Sequence, residues 1–308
     1  NRDAESFAEM DNLPASLREK LNDKAKLRVL TLVSQDISRD GTVKWLYKTY
    51  DGYYIETVLI PTLERNSVCI STQVGCAMDC KFCRTAKMGL KRHLEVGEIL
   101  EQFIQTRKFV RSERGGELTN LIFMGMGEPL HNYQNLKQSI AWLHHQKFFN
   151  LARKRITVST SGVVPNIRKM AEEKIPAALA ISLNGTNDIM RKSIMPITDR
   201  YPMNELLDAV DFYMEKTGRP VTFEFVLIQG ITCTEQGARE LVEICKARDV
   251  KVNAICLNDS DRVSIIDDAV ERFLPPSRCS IFTSYVFPLP DMRFLFYSQE
   301  IKNHELYP

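Results

Sequence analysis

The chain has 308 residues, a formal net charge of +2, 44% hydrophobic and 26% charged residues. That length holds one large core, or one core with a small module, and the composition is that of a globular chain rather than a disordered or fibrous one. No apolar run is long enough to cross a bilayer, no secretory signal opens the chain, and so small a net charge neither marks nor excludes a nucleic-acid partner.

In chain order, residues 1–29 are polar and helical in pattern, with Ser16 as the expected helix cap. The first residue is Asn1 rather than Met, so a fragment or processed chain is expected. Arg28–Ser34, Thr42–Thr49 and Tyr53–Pro61 are β-branched and aromatic, separated by Asp40-Gly41 and Asp51-Gly52. Asp-Gly between such runs signals hairpins. From residue 67 strands and helices alternate. The strands are Val68–Thr72, Leu118–Met124, Arg155–Ser159, Ala177–Leu183, Val221–Ile228 and Val250–Leu257. Between them Val96–Ile104, Tyr133–Lys147, Val164–Glu173, Leu206–Tyr213 and Ala238–Cys245 carry helical spacing. Six such units predict an α/β fold with a parallel sheet, an incomplete (β/α)6 barrel behind a small N-terminal helical and antiparallel β module. The expected division is a module over 1–61, the partial barrel over 62–258 and a tail over 259–308. In that tail Asp261–Phe273 can form a helix, and Cys279–Phe287 is aromatic and β-rich.

Eight cysteines, three of them clustered and the rest scattered, do not make a disulfide scaffold and fit a reducing, cytoplasmic setting. The cluster is Cys76-Ala-Met-Asp-Cys80-Lys-Phe-Cys83, at C-x3-C-x2-C spacing. Three thiolates on one loop can hold three irons of a cube-shaped iron–sulfur cluster and leave the fourth open. The competing assignment is a zinc loop completed by a distant Cys or His, because a closed structural zinc site takes four ligands. In parallel α/β barrels active sites gather at the carboxyl ends of the strands. There lie the cysteine loop, Gly127-Glu128-Pro129, Ser159-Thr160-Ser161-Gly162, Ser182-Leu183-Asn184-Gly185 and Asn258. Each alone is ordinary turn chemistry; five at one end of consecutive strands favour a binding rim. Basic groups at Lys87, Lys91, Arg92 and His93, and at Arg153-Lys154-Arg155, can meet phosphates, although solvated surface charge is the commoner role of any single run.

Cys76-x3-Cys80-x-Phe82-Cys83 resembles the radical S-adenosylmethionine signature. Its surroundings resemble the RlmN/Cfr family of RNA adenine methyltransferases in Ile55-Glu-Thr-Val-Leu-Ile-Pro61, Cys69-Ile-Ser-Thr-Gln-Val-Gly-Cys76-Ala, Gly125-Met-Gly-Glu-Pro129, Thr157-Val-Ser-Thr-Ser-Gly162, Ile181-Ser-Leu183 and Met195-Pro-Ile197. The resemblance runs from about Phe7 to Asn258. It implies that Cys76, Cys80 and Cys83 bind a [4Fe-4S] cluster whose open iron chelates S-adenosylmethionine, which is cleaved to a 5′-deoxyadenosyl radical. By the same resemblance Gly127 and Glu128 lie at the methionine amino end, and Ser159, Ser182, Leu183, Asn184 and Asn258 contact the nucleoside part. Glu56 matches a proton-accepting carboxylate, and Cys69 a cysteine that helps release product by proton transfer and a transient disulfide. The implied substrate is an adenosine of 23S rRNA, with tRNA as a second target, methylated at C2. The implied partners are that RNA and an electron donor such as flavodoxin or ferredoxin, with no membrane and a monomeric chain.

Three departures stand out. The family commonly has His at the position of Asn184. Ala254-Ile-Cys256-Leu-Asn258-Asp259 replaces Leu-Ile-Pro-x-Asn-Pro. The Ala-Ala-Cys-Gly-Gln-Leu segment with the methyl-carrying cysteine does not occur after Asn258, where the one cysteine is Cys279. A member that binds cluster, S-adenosylmethionine or RNA without methylating is therefore the alternative expectation.

Overall fold

The computed structural model describes residues 4, 6–256, 281–286 and 296–299. The chain divides into two compact units, one comprising Asn1–Val74, Lys91–Gly127 and Asn132–Ile156, the other Gly75–Leu90, Glu128–His131 and Thr157–Pro308.

In the first unit a 3-10 turn at Phe7–Glu9 precedes α1 (Ala15–Lys24). Pro14, not Ser16, occupies the capping position; its ring fixes φ and needs no N–H there, so Ser16 falls inside the first turn. β1 (Leu30–Ile37), β2 (Val43–Thr49) and β3 (Tyr54–Pro61) form an antiparallel meander, with Leu30 opposite Thr49 and Val43 opposite Leu59. Its turns fall at the two Asp-Gly pairs, as the sequence predicts. Along β2, Val43, Trp45 and Tyr47 are buried, one face of a period-two pattern. β4 (Asn66–Cys69) is antiparallel to β3, with Cys69 opposite Val58. Its other edge takes a parallel partner, described below.

Two-residue β5 (Gln73–Val74) leads into a loop that carries the short helix α2 (Arg84–Lys87), part of the second unit, and returns in β6 (Arg92–His93), antiparallel to β5. Neither strand is long enough to leave a hydrophobic pattern. α3 (Val96–Glu113) starts at a capping box of Glu95 and Glu98, the reciprocal arrangement that satisfies two orphan donors. Glu98 also takes a two-pronged ion pair from Arg92, which reaches Asp51 in the β2–β3 turn as well. β7 (Asn120–Phe123) runs parallel to β4, pairing Ile122 with Cys69, so β4 is where antiparallel pairing gives way to parallel. α4 (Tyr133–His144) follows.

The second unit alternates β8 (Ile156–Thr160), α5 (Val164–Glu172), β9 (Ala178–Ser182), α6 (Asp188–Ile194), α7 (Met203–Thr217), β10 (Val221–Leu227), α8 (Glu235–Lys246) and β11 (Val250–Cys256). β8 to β11 are successively parallel. Leu179, Ala180 and Ile181 are all buried, as expected of a parallel strand covered on both faces. β12 (Ile281–Val286) adds a parallel neighbour to β11, and β13 (Phe296–Gln299) pairs antiparallel with β12. β12 falls within the β-rich run of the tail; the helix expected over Asp261–Phe273 lies outside the described residues. α6 is a helix the hydrophobic pattern does not reveal. Its start is nonetheless capped by Asn187, whose Oδ1 accepts from Met190 N at 2.9 Å, a standard N-terminal stop for orphan amides.

Candidate active site

In the first unit, Ser71 just beyond β4 fixes two candidate groups. Its Oγ donates to Glu56 O at 2.6 Å and accepts from Met126 N at 2.9 Å. Gln102 of α3 brackets the Ser71 backbone, accepting its N–H at 2.8 Å and donating to its carbonyl at 3.0 Å. Glu56 on β3 is partly exposed, and the nearly buried Lys44 of β2 places Nζ 3.2 Å from its carboxylate. Cys69 is buried, and its thiol is pushed up to about 12, chiefly by burial, with the Met124 backbone opposing and the Glu56 charge adding to the rise. Glu56 and Cys69 therefore share one electrostatic neighbourhood, with Cys69 in its thiol form.

The turn after β7 brings Gly127 against Gln73. Gly127 has φ +104°, and a Cβ there would stand 2.5 Å from the Gln73 Cβ, so the position accepts no side chain. Met126 O receives Thr72 N and Gln73 N at 2.9 and 3.1 Å, which pins that turn.

In the second unit the cysteine loop opens at Gly75, with φ +74° and no room for a Cβ beside Gly89 O. Cys76 is buried and Cys80 and Cys83 are half-buried; all three are free. A turn from Cys83 N to Cys80 O at 3.0 Å, and Lys81 N on Ile194 O at 2.9 Å, hold the loop. The Cys76 thiol is pushed up to about 12 by burial first, then by Glu128 and Cys83 against backbone donors. That of Cys80 rises to about 12 by burial, Cys83, Cys76 and Glu128, with Arg191 opposing.

Glu128 is buried and its carboxylate is employed within the protein. Oε1 accepts from Leu130 N at 2.9 Å; Oε2 accepts from Ser161 N at 2.7 Å and Ser161 Oγ at 2.8 Å. Burial pushes its pKa up against those donors. Ser159 is buried on β8. Ser182 ends β9, and Leu183 and Asn184 leave it with both N–H groups on Glu224 O, at 3.0 and 3.3 Å. Asn184 has φ +50°, a left-handed conformation that Asn tolerates better than most residues. Its Oδ1 accepts from Val226 N at 2.8 Å and its Nδ2 donates to Met195 Sδ at 3.4 Å. The side chain is thus turned into the protein. Asn258 and Cys279 lie outside the described residues.

The donor set suits an iron–sulfur cluster. Three free thiols on one loop feel one another's charge, and iron binding draws off the protons that burial retains. Among the described residues no three Cys, His, Asp or Glu side chains converge to hold a single metal ion; a cluster takes one thiolate per iron.

Sequence reasoning passed over Arg191 and Glu224. Arg191, fully buried on α6, donates Nε to Leu183 O at 2.9 Å, Nη1 to Thr198 Oγ1 at 2.8 Å, and Nη2 to Ser161 O and Ser182 O. It ties the turn after β8 to the turn after β9. A lone arginine in a mixed segment reads as surface, and only the uncapped carbonyls of those turns, invisible in sequence, call for it.

The Radical SAM superfamily matches residues 70–242. The chain is 42% identical over 279 residues to a protein from Anaeromyxobacter dehalogenans named dual-specificity RNA methyltransferase RlmN, covering 88% of this chain and 75% of that relative. It is 43% identical over 275 residues to RlmN 2 of Myxococcus xanthus, covering 88% of this chain and 72% of the relative. A crystal structure of a radical SAM methyltransferase from Sphaerobacter thermophilus superposes with a TM-score of 0.85 at 39% identity, covering 91% of this chain and 85% of that one.

Proposed function

The chain belongs to the RlmN family of RNA methyltransferases within the radical SAM superfamily, and from that premise we propose that it methylates C2 of an adenosine in 23S rRNA, with tRNA as a second target. The observation that carries the reading is the loop of three free thiols, Cys76, Cys80 and Cys83, beside the buried Glu128 turn. Cys76, Cys80 and Cys83 would hold a [4Fe-4S] cluster. When bound, it supplies the one-electron cleavage of S-adenosylmethionine to a 5′-deoxyadenosyl radical.

The chain's own residues orient and protect. The backbone turn at Gly127 and Glu128 receives the methionine amino end. By the family resemblance Ser159, Ser182, Leu183, Asn184 and Asn258 would contact the nucleoside part. The Asn184 side chain is occupied inside the protein, so a contact from this position would be through backbone, the kind that survives the replacement of the family's histidine. Glu56, held by Lys44, would accept a proton, a task that needs reach before any tuning. Cys69, kept as a thiol by burial, is assigned by the family resemblance to product release, through proton transfer and a transient disulfide. A one-electron donor such as flavodoxin or ferredoxin completes the requirement.

Anaerobically loaded protein with S-adenosylmethionine and a reductant is expected to form 5′-deoxyadenosine, and Cys76→Ala to abolish it. Product formation undiminished in that variant would remove the cluster assignment. A second reading, binding without methyl transfer, is favoured by the missing Ala-Ala-Cys-Gly-Gln-Leu segment. Mass spectrometry of RNA nucleosides separates the two: a gain of 2-methyladenosine excludes the second reading, and 5′-deoxyadenosine without it excludes the first.

A further inference from the structure

Among the described residues Arg191 is the largest of the fully buried side chains. A buried cation is costly unless it is paired, yet its four hydrogen bonds end on three carbonyls and one hydroxyl, all neutral. Among the described residues it makes no ion pair with a carboxylate. Two groups reach it through their fields alone, Cys80 and Asp188. Burial lowers its pKa to about 10, which leaves it charged at neutral pH. The helix that carries Arg191 also anchors the cysteine loop, Lys81 N donating to Ile194 O at 2.9 Å. A buried positive charge hydrogen-bonded to no carboxylate thus sits on the helix that anchors a loop proposed to carry three thiolates.

We propose that Arg191 is the built-in counter-cation of the iron–sulfur site and makes the loaded loop easier to reduce. The inference rests on reading Cys76, Cys80 and Cys83 as cluster ligands. Cluster potentials respond to net charge, hydrogen bonding to sulfur and solvent exposure. Each electron added makes a thiolate-ligated centre more negative, and a desolvated cation stabilises that charge most where water is excluded. The same side chain clamps the carbonyls of Ser161 and Leu183, so a purely mechanical role must be distinguished from an electrical one.

Three variants of the full chain distinguish them, each loaded anaerobically with iron and sulfide, assayed for iron and sulfide content, and titrated by redox potentiometry with electron paramagnetic resonance. Arg191→Gln removes the charge and is expected to shift the midpoint to more negative potential. Arg191→Lys keeps the charge, loses the planar fork, and is expected to stay near the unaltered protein. Asp188→Asn removes a carboxylate whose field opposes Arg191, while its Oδ1 can still accept from Met203 N, a bond of 2.7 Å in this structure; its midpoint is expected to move the other way, to more positive potential. A mechanical clamp alone predicts no such opposite pair of shifts. Arg191→Gln with full iron and sulfide and an unmoved midpoint overturns the proposal. So does Asp188→Asn with an unmoved or more negative one, and that variant decides the matter if Arg191→Gln does not fold. An unaltered chain that takes up no iron and sulfide overturns the cluster reading itself, whereas a loaded chain indifferent to both charges overturns only the role of Arg191.

Discussion

Glu224 lies on β10 with its carboxylate buried, and Asn253 Nδ2 donates to one oxygen at 2.6 Å. Burial raises its pKa to about 7, the single hydrogen bond opposing. A carboxyl whose folded pKa exceeds its unfolded one favours folding below the unfolded value, and that contribution is lost as pH rises to the folded pKa. The window is therefore from the ordinary glutamate value of 4.5 to about 7, and the loss is on the order of 3 kcal/mol. Glu224→Gln is expected to flatten this part of the pH dependence, so that in urea unfolding the variant gains on the parent between pH 5 and pH 8. A constant difference between the two would contradict the assignment. Asn184 makes a second case. Asn184→Ala leaves Val226 N–H unpaired and keeps the left-handed φ of +50°, for a cost of about 2 kcal/mol, read as a lowered denaturation midpoint. At this scale the cysteines were legible because their spacing is local. The inward turn of Asn184 was not, since only the opposing Val226 N–H decides it.

Elements were legible in proportion to their length and period. The meander of β1 to β3 and the alternation from β8 to β11 follow the hydrophobic pattern, and the two Asp-Gly turns fall where the sequence puts them. α6, with seven residues, and β5 and β6, with two each, are too short to show a period. They form because their surroundings demand them: Asn187 caps α6, and β5 and β6 pair across the cysteine loop. The capping position of α1 went to Pro14 because a rigid φ competes well with a hydroxyl there. The turn after β7 yields a prediction of its own. Gly127→Ala must accommodate a Cβ 2.5 Å from the Gln73 Cβ at φ +104°, a conformation that costs about 1–3 kcal/mol for a residue with a side chain before any clash is counted. A loss of stability clearly above 1 kcal/mol is expected in chemical denaturation, and a neutral result would mean that the turn can relax.

For the whole molecule, a cofactor that binds only the folded loop stabilises what it touches. Hydrogen exchange is expected to slow in residues 75–90 on anaerobic loading and to stay unchanged in β1 to β3. Uniform slowing would point to a global effect instead. The family was legible from linked motifs, while the tail beyond Asn258 was not, because the sequence there departs from the family pattern. One feature of the chain's connectivity bears on affinity. The cysteine loop leaves from β5 and returns to β6, and those two strands already pair. Closing a flexible loop of about 16 residues costs about 2.5 kcal/mol in chain entropy, beyond a constant. Here that cost belongs to folding rather than to loading. On the proposed cluster assignment iron would therefore meet thiols held at high effective concentration, and the uptake constant would be spared a discount of almost two powers of ten.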